Sequence, residues 1–196
     1  LEKMLKKEYS LLENRLNRNN YKNTRYFAFA DTIATINYSK TSKGHGWMGL
    51  RFQLTPNEKP SDFIIHVLLN DPDAQLQQET VGIIGTNMLH ACFNESNPKE
   101  ILKKLYDNLS KDKVQIDMIE VLGPAFEHVD NRLLSLTLVK ERMTNAVIFT
   151  PDGINQQPSD ILHKKNIVTI RGSFRPVTKV NIDMLERGLK EFKKNS

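Results

Sequence analysis

The chain has 196 residues, of which 39% are apolar and 26% charged, with a formal net charge of +5. This length predicts one domain, or one with a small appendage, that buries about 70% of its unfolded surface. The single cysteine, Cys92, excludes a disulfide framework and a four-thiolate zinc site. No apolar run reaches the ~18 residues of a membrane span. We therefore expect a cytoplasmic protein with no membrane partner.

The positive charge is concentrated at the two ends of the chain. Residues 1–25 carry seven Lys and Arg against three Glu, and residues 185–196 carry four against two, so the stretch between them has a formal charge of −1. A nucleic-acid site requires a concentrated basic patch interleaved with aromatic side chains. Solvated terminal helices are the simpler explanation of such charge runs. We expect no nucleic-acid partner.

The N-terminal segment predicts an amphipathic helix followed by a linker. Residues 1–18 place leucines at helical spacing, and residues 17–23 include four asparagines, which are poor helix formers. We therefore separate a helix and linker at residues 1–24 from one domain at residues 25–196. We expect the apolar stripe of this detached helix to dock on a neighbouring subunit of a homo-oligomer, or on a missing C-terminal region of a longer chain.

The next part of the chain predicts an antiparallel meander. β-branched and aromatic residues fill 25–38, residues 48–54 alternate between apolar and other residues, and residues 63–69 are almost continuously apolar. The sequence Gly44-His45-Gly46-Trp47-Met48-Gly49 matches the G-x-G-x-x-G pattern of dinucleotide-binding loops. That motif requires a helix after it, whereas a strand pattern follows here, so we predict a glycine-rich hairpin loop.

The remainder predicts alternating helices and strands. Helical patterns occupy 73–93, the stretch after Asn97, 130–143, 158–163 and the stretch after Asn181, and strand patterns occupy 114–122, 145–150 and 167–171. From Val114 onward the order is strand, helix, strand, helix, strand, helix. Such alternation predicts parallel strands with helices on both faces. We therefore predict an α/β fold with a mixed sheet, an antiparallel meander followed by βα units with parallel strands.

Polar residues gather in the loops that follow the three predicted parallel strands. Because the carboxyl ends of parallel strands meet at one edge, where open α/β sheets bind ligands, these loops predict a site. The candidate ligand-binding residues are Arg171, Ser173, Arg175, Asp130, Asn131 and Asp152. His128 is the candidate for proton transfer, since histidine exchanges protons near neutral pH.

The two arginines are the strongest element of this predicted site. Gly172 allows the backbone to approach a ligand, Ser173 offers a hydroxyl, and each guanidinium can bind two carboxylate or phosphate oxygens. In the alternative, the arginines only tie the loops together by pairing with Glu127, Asp130 or Asp152, and Asp130 only caps its helix.

The five histidines do not have the spacing of metal ligands, and we predict no metal site. His66 lies within an apolar strand, where a hydrogen-bonded core histidine is expected. The sequence indicates no particular cofactor.

Several stretches together resemble a known family: residues 26–32, 45–52, 123–126, 129–133 and 171–178. They resemble a poorly characterised bacterial family whose members sometimes carry the label nicotinate-nucleotide adenylyltransferase. The resemblance extends over most of residues 25–186 and implies that the chain is part of a longer protein. Adenylyltransferases of that class share an H-x-G-H phosphate motif, which none of the five histidines here completes, so we transfer no activity and no catalytic residue.

The sequence does not identify a reaction, nor whether the protein is an enzyme. We expect a domain that binds a small anionic ligand, phosphate- or nucleotide-containing, at the carboxyl edge of the sheet. The alternative is a non-catalytic assembly domain that docks a partner or the remainder of a longer chain.

Overall fold

The computed structural model describes residues 1–16 and 20–195, in two compact units, Leu1–Pro158 and Ser159–Ser196. The helices are α1 (Glu2–Arg15), α2 (Ala74–Asn94), α3 (Pro98–Lys104), α4 (Asn131–Lys140), α5 (Pro158–Leu162) and α6 (Lys179–Asn195), and the strands are β1 (Phe27–Ala34), β2 (Gly44–Phe52), β3 (Ser61–Leu69), β4 (Val114–Leu122), β5 (Ile148–Phe149) and β6 (Asn155–Gln156). A short 3-10 turn, Pro124–Phe126, follows β4.

The first unit is built on a four-stranded sheet in the order β1-β2-β3-β4, with every neighbouring pair antiparallel. β1 to β3 form the meander that the sequence predicts. β2, however, begins at Gly44, so the predicted glycine-rich hairpin loop is wrong. The glycines belong to a strand that other elements approach closely: a Cβ on Gly49 would lie 2.8 Å from Cδ1 of Leu5 in α1.

The prediction of parallel strands is wrong. β4 pairs with β3 in the antiparallel direction, although helices lie between them. The reason is that α2 and α3 together bring the chain back to the end of the sheet where β3 finishes. There the backbone N–H of Asn70 donates to the carbonyl of Lys113 at 2.8 Å, immediately before β4 starts.

The other two predicted parallel strands are also corrected. Only Ile148–Phe149 of the predicted 145–150 strand is extended, and it pairs antiparallel with β6 across a turn in which Gly153 has a φ of 84°. A Pro-Asp-Gly sequence favours such a turn. Residues 167–171 do not form a strand. The described residues therefore contain a mixture of helices and antiparallel strands, without a parallel pair.

The main core lies between the sheet and the helices α2, α3 and α4. Residues from one face of β2, β3 and β4 pack there against apolar side chains of the three helices, and the largest fully buried ones include Phe52, Phe63 and Met88. Side-chain caps fix where these helices begin, because Asp73, Asn97 and Asp130 each accept backbone N–H bonds from the first turn. The sequence predicts all three starts within one residue.

The opposite face of the sheet is covered by α1. Leu5 is fully buried against Ala30 and Ile64, and Tyr9 is buried beside Tyr26. The expectation that this helix docks on another subunit or on missing sequence is therefore corrected: its apolar stripe packs on the sheet of its own unit. Residues 17–19 of the predicted linker lie outside the described residues.

Candidate functional site

The sequence-predicted site residues are divided between the two units. His128, Asp130, Asn131 and Asp152 lie in the first unit, and Arg171, Ser173 and Arg175 lie in the second. The edge of parallel strands that was expected to gather them does not form. Whether both groups of residues contact one ligand stays a prediction.

Asp130 and Asn131 make well-defined contacts within the first unit. The Asp130 carboxylate accepts the backbone N–H of Arg132 at 2.9 Å and two guanidinium bonds from the same residue at 3.1 and 2.8 Å. The Arg132 side chain lowers the pKa of Asp130 to about 2. The Asn131 amide bonds both backbone groups of Val121, at 2.9 and 3.0 Å, and so joins the start of α4 to the end of β4.

Asp152, Arg171 and Arg175 are exposed. Asp152 lies in the turn between β5 and β6. Within the described part of the second unit, neither arginine forms an ion pair with a carboxylate. In the first unit Asp130 is paired with Arg132.

A cavity of about 440 Å³ opens where the starts of α3 and α4 come together. Its lining residues are Ser96, Asn97, Pro98, Lys99, Ala125, His128, Val129, Asp130, Leu133 and Leu134. Pro98 and Leu134 are buried and form the floor with other apolar side chains, whereas the polar residues stand around the mouth. Two predicted site residues, His128 and Asp130, therefore line one concave surface.

Four polar side chains around this cavity, those of Ser96, Asn97, Lys99 and His128, can each donate a hydrogen bond. Asn97 uses its Oδ1 to cap α3, accepting the backbone N–H of Lys99 at 3.0 Å, which leaves its amide N–H groups facing outward as donors. Among the described residues, the Ser96 hydroxyl, the Lys99 ammonium and the His128 ring have no hydrogen-bond or ion-pair partner. The one carboxylate, Asp130, is neutralised by Arg132.

Ser96, Asn97 and Lys99 line the cavity but were not predicted as site residues. The Asn97-Pro98-Lys99-Glu100 sequence indicates only a helix start. Its distance in sequence from His128, about 30 residues, gives no sign that the two segments meet. The sequence offers only a weak signal for this site: Lys99 and His128 each lie two residues from a residue that caps a helix start, Asn97 and Asp130.

A second polar group lies within the sheet and is buried. His66 Nδ1 lies 2.6 Å from Asp117 Oδ1, and the Gln157 amide nitrogen lies 2.9 Å from His66 Nε2. The pairing register shifts between His66 and Val67, and this bulge leaves Asp117 without an opposite residue. Since His66 is 1% exposed, the prediction of a hydrogen-bonded core histidine is confirmed.

The described residues include no group of three or more His, Cys, Asp or Glu side chains that could hold a metal ion. In the same part of the chain, every helix is too short or too polar to cross a membrane.

Comparison with family models, with curated proteins and with solved structures finds no match to this chain. The resemblance to the family labelled nicotinate-nucleotide adenylyltransferase therefore stays a prediction, as does a cytoplasmic location.

Proposed function

We propose that the protein binds a small organic anion in the cavity between the starts of α3 and α4. The observation that carries the proposal is the donor set around the cavity, namely Ser96, Asn97, Lys99 and His128, beside a carboxylate that Arg132 already neutralises. A ligand that supplies acceptor oxygens can bond all four of these groups, and the Lys99 ammonium favours an anionic one.

The cavity also has an apolar floor, which restricts the ligand further. Ala125, Val129, Leu133 and Leu134 offer hydrocarbon surface in the cavity, from the buried Leu134 to the exposed Leu133. A volume of about 440 Å³ is within the range of small-molecule sites. The fitting ligand therefore has one carboxylate or phosphate group for the donors and an apolar part for the floor. The proposal concerns binding and assigns no reaction.

A thermal-shift experiment tests this proposal. The full chain is heated with a panel of aliphatic and aromatic monocarboxylates, inorganic phosphate and mononucleotides. A ligand at 100 times its dissociation constant stabilises the folded state by about 2.7 kcal/mol. We expect at least one organic anion to raise the melting temperature and Lys99→Ala to abolish the rise. Lys140→Ala, which removes an exposed lysine at the far end of α4, is the matched control.

A panel that leaves the melting temperature unchanged contradicts the proposal, as does a shift that survives both Lys99→Ala and His128→Ala. The arginines of the second unit are tested in the same assay. Their role in anion binding stays a prediction of the sequence: because lysine keeps the charge and loses the guanidinium fork, Arg171→Lys and Arg175→Lys are expected to weaken anion binding.

The second candidate function is an assembly domain, and one observation favours it. On α6, Ile182 and Leu185 are 50% and 43% exposed, so this helix offers apolar side chains to a partner. Docking on this surface is expected to be weakened by Leu185→Asp, and a mass in solution that rises with concentration would identify the partner as a second copy of the chain. The organic-anion panel does not affect that mass.

A further inference from the structure

The net charge of the protein lies in its second unit. Residues 159–196 carry nine Lys and Arg against four Asp and Glu, a formal charge of +5 that equals the charge of the whole chain. The first unit is therefore neutral overall. Residues 161–182 include no acidic side chain, and their basic residues are Lys164, Lys165, Arg171, Arg175 and Lys179.

An apolar groove lies within this basic segment. It has a volume of about 260 Å³ and is lined by Ile170, Phe174, Val177, Asn181, Ile182 and Leu185. Five of these six side chains are apolar, and Val177 is 62% exposed. The groove continues along α6, because Ile182, Leu185 and Leu189 recur three and four residues apart and so share one side of the helix.

Two of the three acidic groups of α6, Asp183 and Glu191, are paired with basic residues of the same helix, and Glu186 is the third. Arg187 lies 2.9 Å from Asp183, and Lys194 lies 2.6 Å from Glu191. Arg171 and Arg175 have no such partner within the described part of the unit. Both arginines directly follow a lining residue in sequence, Arg171 after Ile170 and Arg175 after Phe174. The exposed hydrocarbon of the groove therefore lies in a basic segment, and we call these two arginines its cationic border.

We propose that this groove binds an acidic amphipathic helix of another protein. The inference gives the second candidate function a partner of stated chemistry and is independent of the organic-anion site. Apolar side chains at i, i+3, i+4 and i+7 of such a helix fill the groove, and its carboxylates face the basic border. A second copy of this chain fits less well, since two units of +5 repel each other. A nucleic acid leaves the aliphatic side chains without a partner.

The test uses the full chain and a synthetic helical peptide with leucine at heptad a and d positions and glutamate at most other positions. Its binding is followed by fluorescence anisotropy beside a scrambled peptide of the same composition. We expect the ordered peptide to bind and the scrambled one to bind about tenfold more weakly or not at all. Higher salt weakens the binding, because charges at the border of an interface are screened.

Two variants locate the binding on the protein. Leu185→Asp places a charge in the groove, and we expect binding to fall about thirtyfold or more, as for a central contact residue. The double change Arg171→Glu with Arg175→Glu removes the cationic border and is expected to weaken binding about tenfold. The double change Lys40→Glu with Lys140→Glu makes the same change of net charge in the first unit and serves as the control.

Several results overturn the proposal. They are an absence of peptide binding, equal binding of the ordered and scrambled peptides, loss of binding in the control, or tighter binding of a 20-nucleotide single-stranded DNA than of the peptide. A concentration-dependent mass that Leu185→Asp abolishes shows self-association instead. The organic-anion site is tested separately: Leu185→Asp is expected to keep the ligand-induced thermal shift, and Lys99→Ala to keep peptide binding.

Discussion

Three buried polar side chains of the first unit, those of His66, Asp117 and Gln157, are held in place by hydrogen bonds to one another. His66 and Asp117 come from neighbouring strands, and the bulge in β4 turns the Asp117 carboxylate toward the ring. Because the Gln157 amide nitrogen can only donate, His66 Nε2 accepts its hydrogen bond, and Nδ1 carries the ring proton and donates to Asp117. Every ring nitrogen of this buried histidine therefore has a partner.

The first prediction concerns this buried network. Asp117→Ala leaves the Nδ1 proton of His66 buried without an acceptor, and we expect the free energy of unfolding to fall by about 2 kcal/mol. Urea denaturation measures the change. Asp112→Ala, at an exposed turn before the same strand, is the control, and its effect is expected to stay within about 0.5 kcal/mol. Equal effects of the two substitutions contradict the structural role of Asp117.

The second prediction concerns the pH dependence of stability. Burial raises the pKa of Glu120 above its ordinary value of 4.5, and the nearby Glu2 and Asp62 carboxylates add to the rise. The folded protein therefore holds this proton to a higher pH than the unfolded chain does, and stability is lost as the pH rises from about 4.5 through the folded pKa.

We therefore expect Glu120→Gln to raise the melting temperature at pH 7 by about 1–2 °C, a small change because the side chain is only half-buried. Below pH ~4, where the carboxyl is protonated in both states, the wild type and the variant melt together. Differential scanning calorimetry at several pH values measures this difference. Glu127→Gln, at an exposed position, is the control. The assignment is refuted if Glu120→Gln becomes less stable, compared with the wild type, as the pH rises from 4 to 7.

At the scale of elements, α1 is part of the core and not a separate arm. Gly49 lets the helix approach the sheet, and Leu5 fills the space above it. The linker composition of residues 17–23 predicted a detached helix because sequence shows the length of a connection but not whether its two ends pack together.

The third prediction follows from this packing. Leu5→Ala removes a fully buried side chain between α1 and the sheet, and we expect a loss of about 3 kcal/mol in the free energy of unfolding. Leu11→Ala, on the exposed side of the same helix, is expected to cost under about 1 kcal/mol. If α1 instead docks on another subunit, Leu5→Ala changes the mass in solution and leaves monomer stability unchanged. Chemical denaturation and light scattering together distinguish these outcomes.

At the scale of the whole molecule, burial differs sharply between the two units. β3 lies between β2 and β4, and eight of its nine residues are buried. In residues 159–194 of the second unit, none is fully buried. The unit that holds the net positive charge is therefore also the unit with the weaker core.

The fourth prediction is that hydrogen exchange separates the two units. We expect the amide protons of β3 to exchange last, at a rate that reports global unfolding, because their hydrogen bonds are covered on both faces of the sheet. The amides of α6 are expected to exchange earlier, through local opening. Mass spectrometry of exchanged peptides measures both. Equal protection of β3 and α6 would show that the second unit has a core that these contacts do not reveal.

The sequence by itself determined where most elements lie. Local chemistry specifies them: alternation and β-branching place β4 at Val114–Leu122, as predicted, and capping residues place the starts of α2, α3 and α4. The hydrogen-bonded state of His66 followed in the same way, because a polar side chain within an apolar strand must find a partner.

Only the tertiary structure decided how these elements pair and which side chains meet. The alternation from Val114 onward predicted parallel strands, but β4 pairs antiparallel with β3, β5 pairs antiparallel with β6, and residues 167–171 form no strand. The candidate site depends on the same kind of information. Lys99 and His128 line one cavity because α3 and α4 pack on one face of the sheet, and packing between segments far apart in sequence leaves no local pattern in either of them.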